Sequence, residues 1–180
     1  MLALTTPQSL STFVLQTASK LSSNVPMYVD YEPIEGAEEQ RCFPNVDAAV
    51  ERHGGERLIG WMLWEMPGAF IEAIHHAVWK KPSGEIVDIT PKIDGELRIV
   101  FVIDPAATYE GKFIDPRRFP AFGNRLARDF IRVRGEQEAL VEPFRKVGRY
   151  VVPYDIAERA HRKLDRSNRL FNRLKAGEKK

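Results

Sequence analysis

Apolar positions recur first at helical spacing and then, through the middle of the chain, in strand-like runs. Leu10, Phe13, Val14, Leu15 and Ala18 predict a helix over Pro7 to Leu21, with Thr6 as N-cap and Pro7 at the first position. Met27-Tyr28-Val29-Asp30-Tyr31 alternates as a short strand and runs into an acidic loop with Pro and Gly, Glu32 to Gln40. Val46, Ala49 and Val50 share one face of a helix from Asn45 to His53, stopped by Gly54-Gly55.

The centre is β-rich. Arg57 to Glu65, Phe70 to Lys80, Glu85 to Thr90 and Leu97 to Ile103 carry Ile, Val, Trp and Phe between turn clusters at Pro67-Gly68, Pro82-Ser83-Gly84 and Asp94-Gly95. Four strands joined by short turns predict an antiparallel meander. Beyond Asp104-Pro105 come Pro-rich loops, then helices over Asn124 to Arg134, Glu136 to Val147 and Ile156 to Leu174; the last has an apolar stripe of Ile156, Ala160, Leu164, Phe171 and Leu174 among Arg and Lys. The fold class is α+β, with helices segregated from an antiparallel sheet. The chain reads as a single domain over 1–180, with a core at 40–105 and a helical, basic extension at 106–180.

Composition narrows this little. At 180 residues, 43% hydrophobic and 29% charged, the chain is long enough for one full core, and wholesale disorder is not expected. A net charge of +2 by itself implies no polyanionic partner, although basic residues outnumber acidic ones from Asp155 onward. No apolar run approaches the roughly 20 residues that span a bilayer, so no membrane is expected. The first residues lack the basic and apolar regions of a signal peptide. One cysteine makes no internal disulfide, and a cytoplasmic setting is the simplest inference.

The candidate chemistry starts at Cys42, just before the helix expected near Pro44. There the macrodipole favours a thiolate, and open backbone N–H groups supply the donors of an oxyanion hole. Alone, Cys42 reads more simply as a small buried hydrophobe. His76 and Asp88 change the weighing. Pro82-Ser83-Gly84 suits a three-residue hairpin loop, pairing Lys81 with Glu85, Val78 with Asp88 and His76 with Thr90. Asp88 is then the diagonal neighbour of His76 on one face, roughly 7 Å away at the β-carbons. A carboxylate holding an imidazole, with a thiol brought to it, is the logic of nucleophile, base and orienter. The plainer alternative is an incidental cross-strand pair.

His75 points to the opposite face, with Ala73, Ala77 and Trp79, so His76 is the choice. A zinc site from Cys42, His53, His75 and His76 ranks lower, because neither Cys-x-x-Cys nor His-x-x-x-His is present. No P-loop, dinucleotide, zincin or EF-hand pattern occurs, and neither metal nor cofactor is expected. Trp61 and Trp79 are substrate-wall candidates, with core packing as the default for strand tryptophans.

Cys42-Phe43-Pro44-Asn45-Val46, Gly60-Trp61-Met62-Leu63-Trp64-Glu65, His76-Ala77-Val78-Trp79, Val87-Asp88-Ile89-Thr90-Pro91 and Phe101-Val102-Ile103-Asp104-Pro105 together resemble an uncharacterised family of bacterial and phage proteins. More distantly, the order Cys, His, Asp resembles the papain-like superfamily, above all its transglutaminase-like branch. The resemblance covers about the middle third of the chain. It implies a papain-like antiparallel meander packed against helices, with Cys42 as nucleophile, His76 as general base and acid, and Asp88 as orienter. The superfamily also sets a polar oxyanion donor before the cysteine; Gln40 and Asn45 are the nearby candidates, though neither spacing matches.

The expected function is therefore a cysteine hydrolase or acyltransferase acting on an amide or related acyl bond, with an amide-containing or protein substrate. The alternative is a non-catalytic binding or structural protein of the same fold, contacting nucleic acid or protein through the basic C-terminal helix.

Overall fold

The computed structural model describes residues 3–92, 95–146 and 149–179. It is an α+β structure with an antiparallel sheet and four α-helices. The chain divides into two compact units. One comprises Thr6–Trp64 and Ala73–Tyr109; the other comprises the residues up to Thr5, Glu65–Glu72 and the chain from Glu110 onward. The C-terminal helices thus share a unit with the first residues of the chain and a hairpin tip.

In the first unit, α1 (Thr12–Ser19) begins later than its apolar spacing predicts. Thr6 does not cap it. The Thr6 amide and hydroxyl both bind the Glu96 carboxylate, and the Ser11 side chain accepts the Val14 N–H instead. β1 (Met27–Asp30), α2 (Cys42–His53), β2 (Glu56–Met66), β3 (Phe70–Lys80), β4 (Ile86–Val87) and β5 (Arg98–Ile103) follow. The expected Asp94-Gly95 turn falls partly outside the described residues.

The strands lie in the order β1-β5-β2-β3-β4, so only β2, β3 and β4 form the meander. β5 does not pair with β4, because the free edge there is already taken: Tyr31 and Asp88 form a parallel bridge, with Asp88 N–H donating to Asp30 O and Glu32 N–H to Asp88 O, both at 2.9 Å. That bridge ties the chain just beyond β1 to the chain just beyond β4. Alternation then sorts the side chains. Val29, Met62, Val78, Ile99 and Phe101 pack together on one face with Leu58, Ile74, Ile86 and Ile103. Ala77, Trp79, Val87 and Ile89 face the other way and are covered by Phe43, Val46 and Ala49 of α2. The burial of this helix face holds the first turn of α2 against the sheet.

In the second unit, the tip residues Met66, Ala69 and Phe70 pack on Leu126, Ala127 and Phe130 of α3 (Arg125–Val141) and on Leu174 of α4 (Tyr154–Lys175). β6 (Arg117–Pro120), unforeseen among the Pro-rich loops, pairs with β3. Asn124 caps α3 by accepting the Ala127 N–H at 2.8 Å. The two helices expected on either side of Gly135 are one, followed by a single 3₁₀ turn over Glu142–Phe144; Val147, the expected end of the second, lies outside the described residues. Arg118 donates to both Glu138 oxygens at 2.8 and 2.9 Å and to Glu72 at 2.5 Å. Among the described residues, no helix is long and apolar enough to cross a membrane.

Candidate active site

The segment before α2 is bent to deliver Cys42. Gln40 takes a left-handed φ of 59°, the only positive value outside glycine among the described residues; such a conformation costs on the order of 1–3 kcal/mol unless its surroundings hold it. Cys42 is then the first residue of the helix, with Arg41 at the N-cap and no side-chain cap bond. An arginine cannot accept a hydrogen bond from the first turn as Ser, Thr, Asp or Asn would. The peptide N–H groups of Cys42 and Phe43 therefore sit at an uncapped helix end. Pro44 fits the first turn because no intrahelical donor is needed there.

Asn45 fixes this segment from below. Its Oδ1 accepts the Glu38 N–H at 3.0 Å, while Nδ2 donates to Glu38 O at 2.7 Å and to Thr90 Oγ1 at 3.3 Å. One buried amide thus ties the loop, the helix and the chain beyond Asp88 together. Both of its donors are spent, so Asn45 is a tether and not the oxyanion donor expected as one option. Gln40 is exposed, and of the two candidates it alone keeps an uncommitted side-chain amide.

The hairpin supplies the other two residues. Lys81 N–H donates to Glu85 O at 2.8 Å and Gly84 N–H to Lys81 O at 2.9 Å, with Gly84 at φ 91° where a side chain would be strained. Trp79 pairs with Val87 and Lys80 with Ile86, which is the register the turn chemistry predicts. His76 Nε2 lies 3.0 Å from Asp88 Oδ2, and both side chains are almost wholly buried. Oδ1 of Asp88 accepts the Thr90 N–H at 3.0 Å. Oδ2 also receives the ammonium of Lys92, which donates in addition to Thr90 O at 3.0 Å. Both oxygens of this buried carboxylate are thus hydrogen-bonded.

Cys42, half-buried, lies close enough to the His76 side chain and the Ala77 backbone for both to act on its thiol. With Nε2 on Asp88, the ring nitrogen left for sulfur is Nδ1. The charges follow from this chain. Burial pushes the Cys42 thiol up, but the charge and hydrogen bond of His76 and the Ala77 backbone bond outweigh it, and the thiol ends below its ordinary 9.0. Burial pushes the His76 imidazole down, yet Asp88 and Cys42 raise it to about 9. Burial likewise raises Asp88, and His76 with Lys92 bring it down to about 2. Both shifts run the same way, favouring a thiolate beside an imidazolium.

The remaining candidates lie elsewhere. His75 is buried on the opposite face, among the rings of Phe43 at 4.9 Å, Trp61 at 5.4 Å and Tyr109 at 6.5 Å. Trp61 is 2% exposed and donates to Asp104; Trp79 is 7% exposed, donates to Gly54 O and touches the His53 ring. Both tryptophans are core, with little surface left to line a substrate site. Among the described residues, no group of three His, Cys, Asp or Glu is placed to hold a metal ion. A cavity of about 140 Å³ opens between the Ile34–Glu38 loop and α2, lined in part by Arg41, Asn45 and Arg52, but Cys42, His76 and Asp88 do not line it.

Sequence reasoning missed Lys92 and Thr90. The only signal was their closeness to Asp88; an i,i+4 lysine beyond a proline reads as solvated until its burial is known. Comparison of the chain with family models, with curated proteins and with solved structures returns no match.

Proposed function

We propose that this chain is a papain-like cysteine hydrolase or acyltransferase acting on an amide or related acyl bond. The observation that carries the reading is the His76 Nε2–Asp88 Oδ2 bond of 3.0 Å, with the thiol of Cys42 beside the same imidazole. The arrangement supports it as well: a helix-leading cysteine beside a hairpin that bears histidine and aspartate resembles the papain-like, transglutaminase-like pattern.

The reaction follows from the charges. The Cys42 thiolate attacks the carbonyl carbon, and the electron pair moves to oxygen. The N–H groups of Cys42 and Phe43, with the Gln40 amide beside them, are the donors for that oxyanion. His76 gives its proton to the leaving nitrogen, the C–N bond breaks, and a thioester remains. Neutral His76 then takes a proton from water or an incoming amine, whose attack releases the acyl group and restores the thiolate. Asp88 keeps Nε2–H engaged throughout, so that Nδ1 faces sulfur.

The test uses p-nitrophenyl acetate as an acyl donor. A burst of nitrophenolate, with one acetyl group on Cys42 by intact mass and peptide mapping, is expected. Cys42→Ala abolishes it, and His76→Ala slows it by at least about 100-fold. Release at the same rate from the Cys42→Ala protein overturns the reading and leaves the non-catalytic alternative.

A further inference from the structure

Lysine is among the residues least often buried unless paired, and the Lys92 side chain is 6% exposed. Its ammonium reaches Oδ2 of Asp88, the same oxygen that accepts His76 Nε2–H, and not Oδ1, which Thr90 N–H occupies. Two cations on one carboxylate oxygen are no more than about 6 Å apart, and at that range a buried ammonium disfavours a second positive charge on the imidazole. Among the described residues, two carboxylates of the neighbouring segments are engaged elsewhere. Glu32, beside Asp88, turns its carboxylate to Lys81 at 2.6 Å, and Glu38, held by Asn45, pairs with Arg41 at 3.0 Å. Cys42 from α2, His76 from β3, and Asp88 with Lys92 are the charged groups that face one another here.

We propose that Lys92 is a positioning residue of this site: it shares the Asp88 carboxylate with His76, so that the imidazolium stays able to give up its proton. The proposal builds on the cysteine-enzyme reading. A general acid bound to an undivided carboxylate in a dry site holds its proton too tightly to protonate a leaving group; dividing the carboxylate between two cations weakens that hold. A plain structural role, in which Lys92 ties Asp88 to Thr90 O across Pro91, makes no such demand on His76.

The experiment is an NMR titration of the His76 ring, assigned with His76→Gln, in the wild type, Lys92→Met and Lys92→Arg. In Lys92→Met, deprotonation of His76 moves upward by about one pH unit; in Lys92→Arg it stays at the wild-type position. An unmoved Lys92→Met titration, with the wild type raised, overturns this inference and leaves the cysteine-enzyme reading standing. A wild-type His76 titrating near its ordinary 6.5 overturns both. Should Lys92→Met fail to fold, the wild type decides: the Lys92 ¹⁵Nζ shift steps at the pH where His76 deprotonates. No step there also overturns the proposal.

Discussion

At the scale of single residues, the site is a chain of hydrogen bonds in which each group sets the charge of the next. Asp88→Asn keeps the shape and removes the charge that holds His76 protonated. Neutral His76 no longer offsets the burial of a thiolate, so alkylation of Cys42 by iodoacetamide at neutral pH should slow by at least about 10-fold, since one pH unit of thiol shift costs that much. Asn45 makes a different demand. Asn45→Ala strands the Glu38 and Thr90 partners of a buried amide, and each orphaned group costs about 1–3 kcal/mol. The urea midpoint should fall by an amount equivalent to about 2 kcal/mol or more, measured by tryptophan fluorescence. All three tryptophans (Trp61, Trp64 and Trp79) belong to the unit that holds the site, so that signal reports on it alone.

Among the elements, the β3–β4 hairpin was the most legible. Pro82-Ser83-Gly84 dictates an odd loop with Gly at the left-handed position, and an odd loop leaves no choice about which face His76 and Asp88 share. The start of α2 was readable for the same local reason, within a few residues. What local chemistry does not specify was missed. The parallel bridge between Tyr31 and Asp88 joins segments far apart in the chain, and it sends β5 to the far side of β2. Trp61 and Trp79 were ambiguous because strand alternation gives a face but not what covers it. α3 runs unbroken through Gly135, where packing of α3 on α4 offsets glycine's helix penalty. A Cβ there meets nothing within 4 Å. Gly135→Ala should therefore stabilise the helical unit by about 0.5–1 kcal/mol, read by far-ultraviolet circular dichroism in urea.

For the molecule as a whole, the ion pair leaves a signature in how stability depends on pH. His76 has a folded pKa raised from 6.5 to about 9, so taken alone its contribution is complete below 6.5 and is lost as pH rises through about 9. Cys42 has a folded pKa below 9.0, so its contribution is complete above 9.0 and is lost as pH falls through the depressed value. From the depressed Cys42 pKa up to about 9, the folded pair and the unfolded pair hold equal numbers of protons once unfolded His is neutral, and the two slopes oppose each other. Stability of the site-bearing unit should be level across that window. It should fall below it as Cys42 and then Asp88 (folded pKa about 2, ordinarily 3.8) take up protons, and fall above it as His76 loses its own. Cys42→Ala removes one of the opposing slopes, so its urea midpoint should decline more steeply than the wild type's as pH rises from 6.5 toward about 9. A wild type that declines in parallel with the variant contradicts a resting thiolate.

The most direct test is ultraviolet thiolate absorbance across pH, taken as the difference between the wild type and Cys42→Ser. A thiolate already formed at neutral pH in the wild type, and lost there in His76→Ala, is the expected result. Thiolate absorbance appearing only near 8.5, as in a free cysteine, and indifferent to His76→Ala, would contradict the account.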